Sequence, residues 1–208
     1  MKSLRHLLLT VLLLGLFSFS IGQVMSANWQ FTVNDGNMPS YFSTDSDDIR
    51  GIAMHDGKVY LGSFRSNGVK ILDVASGDSI GIVNQSAVSL GDVNVDDSGV
   101  IFGSKMVGHD GQWLPVAPVV IYMWSNDDAE RDTLLSFMPD TTAATGSPWF
   151  RLGDKFSVEG SYTDGTLEVY LVDSGWWGKN MYKFSMEGGV MNPVPEVVTM
   201  SGDNFVKT

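Results

Sequence analysis

Residues Arg50–Val83 read RGIAMHDGKVYLGSFRSNGVKILDVASGDSIGIV, and this stretch decides the fold. Arg50–His55 alternates around Ile52 and Met54. Asp56-Gly57 follows, a strong hairpin signal because a type I′ turn needs φ > 0 at both central residues. Lys58–Phe64 then sets Val59, Leu61 and Ser63 on one face and Tyr60, Gly62 and Phe64 on the other. Ser66-Asn67-Gly68 is a second turn. Val69–Val74 is a third strand, rich in β-branched residues. Ser76-Gly77-Asp78 turns the chain again, and Ser79–Val83 is a fourth strand. With no helical periodicity between them, these four segments predict an antiparallel meander.

Two weaker copies follow. The second starts at Leu90-Gly91-Asp92, with strands at Val93–Val95 and Val100–Met106 around the turn Asp96-Asp97-Ser98-Gly99. The insertion GHDGQWLPVAP delays its third strand, Val119–Trp124, and Thr133–Met138 is the fourth. The third copy starts at Leu152-Gly153-Asp154. It places strands at Lys155–Gly160 and Thr166–Val172 around Thr163-Asp164-Gly165, then Asn180–Phe184 and Pro195–Met200. The matching turn glycines Gly57, Gly99 and Gly165 lie 42 and 66 residues apart. The first spacing fits the roughly 40–50-residue repeat of a propeller blade. The second requires insertions, which the sequence between Ser125 and Pro148 supplies.

The predicted architecture is therefore all-β and β-propeller-like. It has about three four-stranded antiparallel blades, near residues 49–84, 90–138 and 152–200 of a domain spanning 29–208. The competing architecture is a β-sandwich, also built of short strands with regular turns. Propellers close with roughly 4–8 blades, so the expectation is an incomplete propeller, the N-terminal part of a longer protein. Trp29–Val33 (WQFTV) reads as one strand ahead of the first unit.

The units RGIAMHDGKVYLGSF…VKILDVASGDSIG and RLGDKFSVEGSYTDGTLEVYLVDS resemble a family of secreted bacterial propeller-like domains of unknown function. The similarity covers Ile49 to Thr199, and its strand–turn pattern is shared with the YVTN and NHL propeller groups. The resemblance implies an exported protein and supplies no functional residues to carry over.

Residues 1–22 read as a secretory signal peptide. Lys2, Arg5 and His6 precede the apolar run Leu7–Ile21, which is shorter than the ~20 residues a membrane span needs. Cleavage falls at Gly22 or as late as Ala27, and the mature chain is expected to be secreted, at the cell surface or in the periplasm, with no membrane insertion. Losing Lys2 and Arg5 removes two positive charges and takes the net charge from −11 to −13. That argues against nucleic acid and anionic membrane surfaces as partners, since both require a basic patch. There is no cysteine, so disulfides, thiolate nucleophiles and zinc–cysteine sites are excluded.

Asp92, Asn94 and Asp96 alternate like the oxygen ligands of a calcium loop. Such a loop also wants Gly at its sixth position and Glu at its twelfth, where this chain has Asp97 and Gly103. Asp92, Asn94 and Asp154 are the candidate metal ligands, with calcium the possible ion. The Leu-Gly-Asp steps recur in register with Arg50-Gly51, either as a polar ring around a channel or as glycines permitting close approach of strands. Trp149, Trp176 and Trp177 are the candidate binding residues, since aromatics in loop-like insertions can stack on sugar rings or a protein partner. Trp113 lies in a similar insertion. His55 and His109 sit beside Asp-Gly turns and read as solvated. Glu159 and Glu168 flank the Asp164-Gly165 turn, and paired carboxylates can serve glycoside hydrolysis. No nucleophile elbow, H-E-x-x-H, phosphate-cradling loop or dinucleotide fingerprint occurs. The functional expectation is a non-catalytic binding or display module for a glycan or protein. The alternative is a metal-dependent propeller hydrolase of the lactonase type, which requires Asp48, Asp92 and Asp154 to converge.

Overall fold

A computed structural model describes residues 29–30, 39, 48–65, 68–109, 115–139, 151–173 and 180–200. Those residues form strands, turns and loops, with no helix among them.

The first sheet is β1 (Ile49–His55), β2 (Lys58–Ser63), β3 (Val69–Asp73) and β4 (Ser79–Ile82), in that spatial order. The β1–β2 turn has φ of 43° at Asp56 and 73° at Gly57, the two left-handed residues a type I′ hairpin demands. The second sheet takes β5 (Asp92–Val95), β6 (Ile101–Lys105), β9 (Val119–Trp124) and β10 (Asp132–Phe137) in order. The insertion between β6 and β9 carries a small ribbon of β7 (Gly108–His109) and β8 (Pro115–Ala117). The third sheet is β11 (Phe156–Glu159), β12 (Glu168–Val172) and β13 (Asn180–Glu187). The start of β13 pairs with β15 (Glu196–Thr199) and its end with the short β14 (Val190–Met191). Every pairing is antiparallel. The described residues thus form three four-stranded meanders with extra strands, a propeller-like all-β fold.

The second sheet is buried on both faces, which explains the almost unbroken apolar run VVIYMW of β9. One face sets Val93, Ile101 and Trp124 against Tyr60, Val69 and Ile71 of the first sheet. The other sets Phe102, Ile121 and Val119 against Phe156, Val169, Leu171 and Phe184 of the third. Successive residues point to opposite faces of a strand, so Ile101 and Phe102 serve different interfaces. The outward face of the first sheet keeps Val59, Leu61 and Leu72 buried beneath Trp29 and Ile49, while Ile52 and Met54 are exposed.

One predicted hairpin is longer than its turn residues suggest. Gly160–Leu167 is an eight-residue loop between β11 and β12, not a tight turn at Asp164-Gly165. Its backbone is closed on itself by Thr166 N–H to Ser161 O (3.0 Å) and Gly165 N–H to Tyr162 O (3.1 Å). The loop is recruited by its neighbour. Asp96, buried in the β5–β6 turn, accepts from Ser98 N–H (2.9 Å), Ser98 Oγ (2.8 Å) and Val100 N–H (2.9 Å) through Oδ1. Its Oδ2 accepts from Tyr162 N–H at 2.7 Å. A buried carboxylate needs such donors to offset its desolvation, and here they tie the second sheet to the third.

Candidate functional site

The first strands of the three sheets lie side by side: β1 packs on β5, and β5 on β11. Glycine permits the approach. A methyl added at Gly51 would meet the backbone of Val93 and lie 2.7 Å from Asp92 Oδ1. One added at Gly91 would meet the carbonyl of Gly153 and lie 3.2 Å from Asp154 Cα. Gly51 and Gly91 therefore rest on the aspartate position of the next sheet, whereas Gly153 packs back against Val119 and Met106.

That contact gathers charged side chains from β1, from β5 and from the segment 151–155 that leads into β11. Arg50 Nη1 reaches Asp154 Oδ1 at 3.4 Å. Arg151 grips the same carboxylate twice, with Nε to Oδ2 at 2.7 Å and Nη2 to Oδ1. Lys155 Nζ donates to the Arg50 carbonyl at 2.5 Å and lies 3.3 Å from Asp92 Oδ1. Asp92 also accepts from Val93 N–H (3.0 Å) and Phe156 N–H (3.4 Å). The Arg50 guanidinium lies 4.0 Å over the Phe64 ring, with Nη1 3.7 Å from Met106 Sδ. Burial raises the Asp92 carboxyl above the ordinary aspartate value, with Lys155 and the two backbone N–H groups opposing the shift.

The sequence-predicted ligands have separate roles within this arrangement. Asp92 and Asp154 belong to the cluster, each engaged by cations. Asn94 donates its amide to Phe156 O at 3.0 Å and clips β5 to β11. Asp48 is buried and accepts from Ser63 Oγ at 2.6 Å. Among the described residues no three His, Asp or Glu side chains are grouped to hold a metal ion, so Asp48, Asp92 and Asp154 do not form such a group. Trp113, Trp149, Trp176 and Trp177 lie outside the described residues. His55 is half-buried, its ring beside Gly99 of the β5–β6 turn.

Glu159 and Glu168 are direct cross-strand partners on the outer face of the third sheet. Tyr170 Oη bonds Glu168 and lies 3.4 Å from Glu159. Lys183 Nζ lies 2.7 Å from Glu168 and, with Tyr170, holds that carboxyl below its ordinary value. In a glycosidase pair one carboxyl donates a proton, a role that the lowered Glu168 does not suit.

Sequence reasoning placed Arg50 only within the repeated step and missed Arg151 and Lys155. A signal was present: each basic residue adjoins or brackets a repeated Gly or Gly-Asp step. Spacing alone could not show that these steps meet across sheets.

No family model matches the chain, and no curated protein does. The resemblance to secreted propeller domains thus has no matching family behind it. Among solved structures, the PQQ-bound aldose sugar dehydrogenase of Streptomyces coelicolor aligns at 10% identity and a TM-score of 0.29. The alignment covers 75% of this chain and 82% of that one, a likeness too slight to bear on function. No helix among the described residues is long and apolar enough to cross a membrane.

Proposed function

We propose that this chain is an exported, non-catalytic binding module for a glycan or protein, with its seat at the joined ends of β1, β5 and β11. One observation supports this reading: β1, β5 and the segment leading into β11 deliver Arg50, Asp92, Arg151, Asp154 and Lys155 to a single cluster whose carboxylates are already paired. Paired, held groups suit recognition, because little ordering remains to oppose association. General acid–base catalysis instead wants a group poised to exchange a proton with substrate.

The test is retention without turnover. The purified mature chain is presented with glycan and protein arrays, and the retained ligand is recovered and analysed chemically. Intact ligand is expected. Recovery of cleaved ligand, or lactone hydrolysis abolished by a chelator, overturns the reading in favour of a metal-dependent hydrolase.

A further inference from the structure

We infer that the same cluster binds a compact anion through a carboxylate or phosphate group, an inference that rests on the binding-module reading above. Among the described residues three cations meet two carboxylates here, an excess of one positive charge in a chain of net charge −11. The exposures place the cations outermost. The side chains of Arg50, Arg151 and Lys155 are 24%, 34% and 68% exposed, whereas those of Asp92 and Asp154 are 10% and 18%. An arriving cation would meet guanidinium and ammonium groups first; an arriving anion meets its complement.

Among the described residues, donors remain to receive it. Arg50 donates through Nη1, and Arg151 through Nε and Nη2. Arg50 Nε and Nη2 and Arg151 Nη1 have no hydrogen-bond partner among the described residues. A guanidinium carries five N–H donors in a planar fork that matches carboxylate and phosphate oxygens. Phe64 beneath Arg50 and the Arg50 carbonyl on Lys155 hold the cations in place before a ligand arrives. Partial burial of Arg50 strengthens its attraction for an anion relative to open water.

The experiment is isothermal titration of the full mature chain with citrate and, separately, with inorganic phosphate. One site is expected, weakening as salt rises. Lys155→Gln and Arg151→Gln should each raise Kd by about tenfold, removing one charge-assisted contact. Lys183→Gln, on the outer face of the third sheet, should leave Kd within about twofold, since its charge lies outside the cluster. Should Arg151→Gln melt early, the exposed Lys155→Gln still decides the matter. Citrate alone binding identifies a carboxylate ligand, and phosphate alone a phosphate ligand; either supports the inference. Binding of neither anion by the parent chain, or equal weakening by Lys183→Gln, overturns it. Array retention of intact ligand in that case leaves the binding-module reading standing.

Discussion

Replacing Gly51 by alanine tests the joint on which the site depends. The new methyl would collide with the Val93 backbone and lie 2.7 Å from Asp92 Oδ1 and 2.8 Å from Asp92 C. The closest atom is Val93 N at 2.3 Å; heavy atoms rest at about 3.5–4.0 Å, so β1 and β5 must part by roughly 1.2–1.7 Å. The obstructing atoms are mainly backbone, and a densely packed interface does not yield cheaply. Overpacking of this kind costs about 1–3 kcal/mol, occasionally more, and the upper end is expected here. For a chain of this size about 3 kcal/mol lowers Tm by roughly 6–12 °C. Gly91→Ala should behave alike, because its methyl meets the Gly153 carbonyl. Gly81→Ala is the control: its nearest neighbour is Ile71 Cδ1 at 3.6 Å, an ordinary contact. Without strain, that change is neutral or gains up to about 1 kcal/mol from the unfolded chain. Melting all three variants by circular dichroism decides the matter. If Gly51→Ala and Gly91→Ala melt within about 2 °C of Gly81→Ala, a gap under 1 kcal/mol, the close-approach reasoning is refuted.

Asp96→Asn can keep the turn bonds of Oδ1 but turns an amide donor toward Tyr162 N–H. It should cost about 1.5–3 kcal/mol, while Asp96→Ala should cost more by orphaning Val100 N–H as well; urea denaturation measures both. Tyr60 is buried and donates to Asp127 Oδ1 at 3.0 Å, with Lys58 on the other oxygen at 2.5 Å. Tyr60→Phe should therefore lose about 1.5–3 kcal/mol in the same assay, as for a hydrogen bond to a charged group. Burial raises the Asp92 pKa above its ordinary 3.8. Folded Asp92 thus holds a proton that the unfolded chain releases above that value, and this group's contribution to stability falls as pH rises through the window just above 3.8. Subtracting the pH–stability profile of Asp92→Asn from that of the parent chain should isolate this downward slope; an upward slope would refute the assignment.

Much of the fold was legible from local features. Asp56-Gly57 announced its hairpin because only certain residues tolerate two successive left-handed conformations, and the apolar run Val119–Trp124 announced a strand. The eight-residue loop at Gly160–Leu167 was read too short. Its form answers to Asp96, 66 residues away from Tyr162, and turn residues carry no record of a distant carboxylate. The metal expectation named Asp92, Asn94 and Asp154; the fold sets Arg50, Arg151 and Lys155 beside the two aspartates. The four tryptophans named in the insertions fall outside the described residues.

By itself the sequence determined the all-β class, the strand order within each meander, the turns and the repeated glycine step. These depend on side-chain alternation and on backbone dihedrals, which act between near neighbours. Only the tertiary structure decided which repeats touch and what meets there. Arg50 and Asp154 are 104 residues apart and pair because glycines let three strands close together. The character of the site, cations outermost over shielded carboxylates, follows from that packing.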